Sequence, residues 1–244
     1  PTKKLGSLNN YSYIYRVKRV RAQTLIKIKV MIKTVKRGRP SKIVNTTTMK
    51  LNVKTVKMND LNFDKKLFEP MATGTKVDAF FSAEGGVMPG TNVVVTGDPG
   101  VGKTTVLLDI LGDLQLKGKK CLFISGEMNA IDMVGYVRRF PKFGELDILF
   151  MGDYAEVNPD VVLRTALKEG YDCVLIDSLA EISDNYVDYF GGSVKSNTNR
   201  ILQLLDEHNQ ANNDTKINST FLIIQQVTKS GMFVGSNKIK HMTT

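Results

Sequence analysis

Nine consecutive residues, Gly97-Asp98-Pro99-Gly100-Val101-Gly102-Lys103-Thr104-Thr105, fit the spacing Gly-(four residues)-Gly-Lys-Thr of a phosphate-binding loop. Each residue type has a physical reason to be there. The glycines let the backbone curl until successive N–H groups face one anion. A helix starting at Lys103 adds the positive end of its dipole. Lys103 is long enough to reach β- and γ-phosphates, and the Thr104 hydroxyl suits Mg²⁺. The expected ligands are ATP, held by Gly97–Thr105, and Mg²⁺.

Three further segments supply groups that such a loop needs. Val174-Leu175-Ile176-Asp177-Ser178 is apolar until one carboxylate emerges, and Asp177 is expected to join Thr104 at the metal. In Ser125-Gly126-Glu127-Met128, Glu127 is placed to polarise an attacking water. In Gln225-Gln226-Val227-Thr228-Lys229, a glutamine at a strand tip beside the γ-phosphate, Gln226, is expected to sense hydrolysis. The candidate catalytic set is therefore Glu127, Lys103 and Gln226.

The elements that must position these groups are legible in the spacing of apolar residues. Strands are expected at Asn92–Thr96, Cys121–Ser125, Leu146–Met151, Cys173–Ile176 and Thr220–Gln225. Helices are expected at Lys103–Leu116, Ala130–Phe140, Pro159–Glu169 and Val194–His208. Strand–helix alternation with uninterrupted apolar strands predicts an α/β fold, a mostly parallel sheet with helices on both faces.

Charge divides the chain. Residues 1–59 hold 16 of the 34 Lys and Arg and none of the 24 Asp and Glu, although the whole chain averages to +10. A basic arm, 1–59, thus precedes a core, 60–244, that leans acidic, and the arm calls for a polyanionic partner. Leu25–Val35 and Met49–Val56 alternate as strands do. Between them, Arg37-Gly38-Arg39-Pro40 has the flat Gly-Arg-Pro character that places Arg37 and Arg39 in the narrow minor groove of A·T-rich duplex; the plainer reading is a cationic tail with nonspecific phosphate affinity. No apolar run is long enough to span a membrane. Two separated cysteines, Cys121 and Cys173, form neither a disulfide framework nor a zinc site and read as core residues of a reducing, cytoplasmic setting.

Several segments together carry a family resemblance. Glu84–Gly90 (EGGVMPG), the phosphate loop, Ser125-Gly126-Glu127, the Asp177-Ser178 strand end, and Val227-Thr228-Lys229-Ser230-Gly231-Met232-Phe233-Val234-Gly235 with Lys238, His241 and Met242 resemble the RadA/Sms family of the RecA/DnaB group, over about residues 70–244. The resemblance implies a RecA-like ATPase that binds single-stranded DNA, drives branch migration in recombination and repair, and assembles as a homo-hexamer. By the same resemblance Lys229 and Lys238 face DNA or a neighbouring subunit, and Arg138, with Arg139 beside it, lies near the nucleotide base. The chain departs from the family at four points. Gln226 stands where the family usually has His, the N-terminal four-cysteine zinc module is replaced by the basic arm, and the family's KNRFG motif and C-terminal protease-like domain have no counterpart before Thr244. Two alternatives share the phosphate chemistry: a DnaB-type replicative helicase domain, and an ATP-gated scaffold of the KaiC kind.

Overall fold

The computed structural model of the chain describes residues 55, 57–60, 65–210 and 218–226. The expected strand Leu25–Val35, the residues Arg37, Arg39, Lys229 and Lys238, and all of Met49–Val56 except Thr55 lie outside them. The elements run α1 (Asp78–Phe81), β1 (Asn92–Gly97), α2 (Lys103–Leu116), β2 (Cys121–Ser125), α3 (Ala130–Arg139), β3 (Asp147–Phe150), α4 (Pro159–Leu167), β4 (Cys173–Asp177), α5 (Leu179–Phe190), α6 (Val194–Asn209) and β5 (Thr220–Gln226), with short 3₁₀ turns between. The nine elements expected within the described residues are all present, with ends within two residues of expectation.

The five strands form one fully parallel sheet in the order β1-β5-β4-β2-β3. Alternation along each strand decides which helices cover which face. Leu122 and Ile124, Val174 and Ile176, and Phe221 and Ile223 point to one face and pack under α4, α5 and α6 through Leu163, Leu167, Ile182, Tyr186, Ile201 and Leu205. Cys121 and Phe123, Cys173 and Leu175, and Leu222 and Ile224 point to the other, under α2 through Leu107, Leu108, Leu111 and Leu114. The central strands β2, β4 and β5 are buried on both faces, which is why they read as apolar runs.

Two findings go beyond the sequence reading. Helix α5 was not expected. It buries Leu179, Ile182, Ser183 and Tyr186, a spacing of i, i+3, i+4, i+7 that acidic neighbours obscure. The two cysteines, far apart in sequence, sit opposite each other on neighbouring strands. They are buried, free thiols, and burial pushes the Cys121 thiol up to about 12. Among the described residues no helix is long and apolar enough to cross a membrane.

Because every strand runs the same way, Gly97, Ser125, Phe150, Asp177 and Gln226 all end at one edge of the sheet. In open α/β sheets ligands bind outside this carboxyl edge, where the strand order reverses. Here the chain moves across the sheet from β1 to β2 and β3 and then turns back to β4 and β5, so the connections after the neighbouring strands β2 and β4 leave in opposite directions.

Candidate active site

The turn between β1 and α2 is built for an anion. Gly100 and Gly102 have φ of +79° and +89°, a region that an L side chain enters only at a cost of roughly 1–2 kcal/mol. The first N–H groups of any helix lack intrahelical partners. In α3, α4, α5 and α6 a side chain of Asn129, Asn158, Ser178 or Ser193 accepts from them. Helix α2 begins at Gly102, which has no side chain to offer, and no side-chain cap is made. A helix start without a side-chain cap is one that could receive an anion. The Lys103 ammonium donates to the carbonyls of Gly97 at 2.9 Å and Asp98 at 2.8 Å, which draws it over the loop and leaves its third proton for a phosphate oxygen.

Thr104 sits in the first turn of α2, and its hydroxyl donates to Asp177 Oδ2 at 2.5 Å. Asp177 is the last residue of β4, 4 % exposed. Burial pushes its carboxyl above the usual carboxylate range. The Thr104 donation and the Lys103 charge oppose that rise, and the nearby Glu127 charge adds to it. The Asp177–Ser178 peptide is cis, and Ser178 then caps α5 by accepting from Glu181 N–H at 3.4 Å.

Glu127 stands in the turn after β2 and is exposed. Its charge reaches two neighbours, raising the Asp177 carboxyl and, with burial, that of Glu181. Asp177 and Glu127 thus feel each other's charge, as do Glu127 and Glu181, but among the described residues no group of three or more acidic, His or Cys side chains is placed to hold a metal by itself. Hard oxygen donors in a region of excess negative charge suit Mg²⁺, which keeps several waters and is completed by phosphate oxygens.

The structure therefore brings Gly97, Asp98, Pro99, Gly100, Val101, Gly102, Lys103, Thr104 and Thr105 into one turn, with Asp177 and Glu127 beside it. The backbone of Gln226 pairs with Gly97 at the tip of β5, the strand lying between β1 and β4. Arg138 is not brought to this group. It is exposed in the last turn of α3, roughly 12 Å along the axis from the helix start at the site edge, at 1.5 Å per residue. Glu181 was missed in the sequence reading. The signal was present as Ser178-Leu179-Ala180-Glu181, the S-x-x-E pattern that opens helices.

Comparison with known proteins agrees with this geometry. No family model matches the chain. Among curated proteins it is similar to three bearing the name DNA repair protein RadA, each over 161 residues, or 65 % of this chain. The Listeria monocytogenes protein is 34 % identical, with 32 % of its length covered. The Aquifex aeolicus protein is 30 % identical, with 33 % covered. The Streptococcus pneumoniae protein is 32 % identical, with 35 % covered. The chain thus spans about a third of the length of the relatives it matches. Over these 161 residues the chain is thus similar to RadA proteins, and its five-stranded parallel sheet, with an uncapped glycine-rich turn facing a buried strand-end aspartate, is of the RecA-like α/β type.

Proposed function

We propose that the chain is a Mg²⁺-dependent, DNA-stimulated ATP hydrolase of the RecA/RadA type, acting on single-stranded DNA in recombination and repair. The observation that carries the phosphate chemistry is the Thr104–Asp177 hydrogen bond at the mouth of an uncapped helix. A hydroxyl and a carboxylate held together in this way would suit a triphosphate-bound metal. The DNA assignment draws on the relatives, which are named as DNA repair proteins. They do not favour the replicative-helicase or clock-scaffold alternatives.

In this reading the α2 amides and Lys103 bind the β- and γ-phosphates, and Thr104 and Asp177 hold Mg²⁺. The metal, when bound, supplies charge neutralisation on the phosphate oxygens. Glu127 accepts a hydrogen bond from the attacking water and aligns it with the γ-phosphorus. Lys103 stabilises charge that develops in the transition state. Gln226 is paired at the backbone with the first loop glycine, so movement of the loop is passed to β5 and to the segment after it, where Lys229 and Lys238 would meet DNA. The basic arm, through Arg37 and Arg39, would add affinity for duplex. Assembly as a homo-hexamer, with a cation from a neighbour completing the site and Arg138 near the base, belongs to the same proposal.

The test is steady-state ATP hydrolysis by the purified chain, with and without single-stranded DNA and with Mg²⁺ varied. Turnover that requires Mg²⁺ and rises with DNA is the expected result. Turnover unaltered by DNA would remove the DNA assignment, and ATP-dependent assembly without DNA binding would favour the scaffold reading.

A further inference from the structure

We propose that Ser125 is a positioning residue, one whose hydroxyl sets the direction in which Glu127 leaves the backbone. This rests on the reading of Glu127 as the carboxylate that aligns water.

Ser125 is the last residue of β2 and is 1 % exposed. Its hydroxyl is used in both senses. It donates to the Met128 carbonyl at 2.9 Å and accepts from the Met128 N–H at 2.9 Å. A buried hydroxyl costs stability unless it is paired, and among the described residues this one pairs with the backbone of Met128, one residue beyond Glu127. The turn Ser125–Met128 is thereby closed on itself, with Glu127 inside the ring.

Two further restraints act on Gly126. Its N–H donates to the Asp177 carbonyl at 2.7 Å, tying the turn to the strand whose carboxylate Thr104 holds. Behind it stands the first turn of α5. A Cβ at position 126 would lie 3.0 Å from Glu181 Cβ and 3.2 Å from Ile182 Cγ1, so glycine lets the turn seat directly on the helix. Three restraints therefore flank Glu127 on both sides, and none of them is to its carboxylate. The side chain is long and exposed, and these restraints act on the backbone that carries it. Fixing the departure angle of such a chain narrows where its oxygens reach, and misplacing a reacting group by about 1 Å costs roughly a hundredfold in rate.

The test uses the whole 244-residue chain and compares parent, Ser125→Ala, Ser125→Thr, Gly126→Ala and Glu127→Gln. It reads kcat and KM for ATP hydrolysis, affinity for a fluorescent ATP analogue, and thermal melting. Ser125→Ala should lower kcat about tenfold or more while KM and analogue affinity stay within about twofold. Ser125→Thr, which keeps the hydroxyl, should restore kcat to within about threefold of the parent. Gly126→Ala, which pushes the turn off α5, should repeat the Ser125→Ala signature. If Ser125→Ala melts below the assay temperature, Gly126→Ala decides by the same criteria. A kcat within twofold of the parent, a parallel loss of nucleotide affinity, or failure of the threonine variant to restore turnover would overturn the proposal. Glu127→Gln separates this failure from that of the parent reading. A Glu127→Gln chain that hydrolyses ATP at the parent rate, or a parent that does not hydrolyse it, removes both. An inactive Glu127→Gln beside a fully active Ser125→Ala removes only the role of Ser125.

Discussion

The Thr104 hydroxyl donates to the Asp177 carboxylate across 73 residues of chain, and the strands that present them, β1 through its loop and β4, are separated in the sheet by β5. The bond is made only if α2 starts where the loop ends and β4 stops in register with β2, where Ser125 lies opposite Asp177. Replacing Thr104 by Ala leaves a buried carboxylate without this donor. We expect a loss of about 1–3 kcal/mol of stability, and weakening by at least about tenfold of the Mg²⁺-dependent part of nucleotide affinity. Thr104→Ser should retain both. Chemical denaturation and a Mg²⁺ titration of nucleotide binding check the two effects separately.

Lys103 and Glu127 should fail in different ways. Lys103→Ala removes the ammonium that spans the loop carbonyls and should abolish measurable nucleotide binding. Glu127→Gln keeps the size of an exposed side chain. It should leave nucleotide affinity nearly intact and lower hydrolysis by about 10²–10⁴-fold. Equilibrium binding and single-turnover hydrolysis distinguish the pair, and equal hydrolysis by variant and parent would refute the assignment.

His208 makes folding sensitive to mild acid. Its ring lies 2.9 Å from the Ser219 hydroxyl, edge-on to Phe221, and burial holds its pKa below the ordinary 6.5. The unfolded chain therefore binds a proton here before the folded one does. Stability should be full above about pH 7 and decline as pH falls through 6.5 toward the folded value. Comparing urea midpoints of the parent and His208→Gln between pH 7.5 and 5.5 isolates this group. A parent whose midpoint falls no further than that of the variant would contradict it.

The core and the surface of α2 should respond by different magnitudes. Leu111 is fully buried against the sheet, and Leu111→Ala is expected to cost about 2–5 kcal/mol. Lys142 bridges Asp109 at 2.7 Å and Asp113 at 2.6 Å; partial burial is the largest single influence and lowers its pKa, but the hydrogen bonds and charges of the two aspartates together outweigh it and raise the pKa. The groups remain partly exposed, so Lys142→Met should cost under about 1 kcal/mol. Thermal melts of the two variants give the comparison directly.

Much of this protein was determined by sequence alone, because its signals are local. The glycine spacing of Gly97–Thr105, the β-branched run before it and the apolar stripe of α2 each act within a few residues, so the phosphate loop and its flanking strand and helix were legible together. The same holds for the parallel α/β class, since strands buried on both faces lose their alternation. Helix α5 was equally local, through its Ser178–Glu181 cap, but acidic residues between its apolar positions hid it. What only the tertiary structure decided is which loops become neighbours. Strand order depends on long-range packing, and no local pattern says that β5 enters between β1 and β4, that Cys121 faces Cys173, or that Gly126 rests on α5. That Lys103, Thr104, Glu127 and Asp177 lie at one edge follows from parallel strands that end there, a relation that exists only once the sheet is assembled.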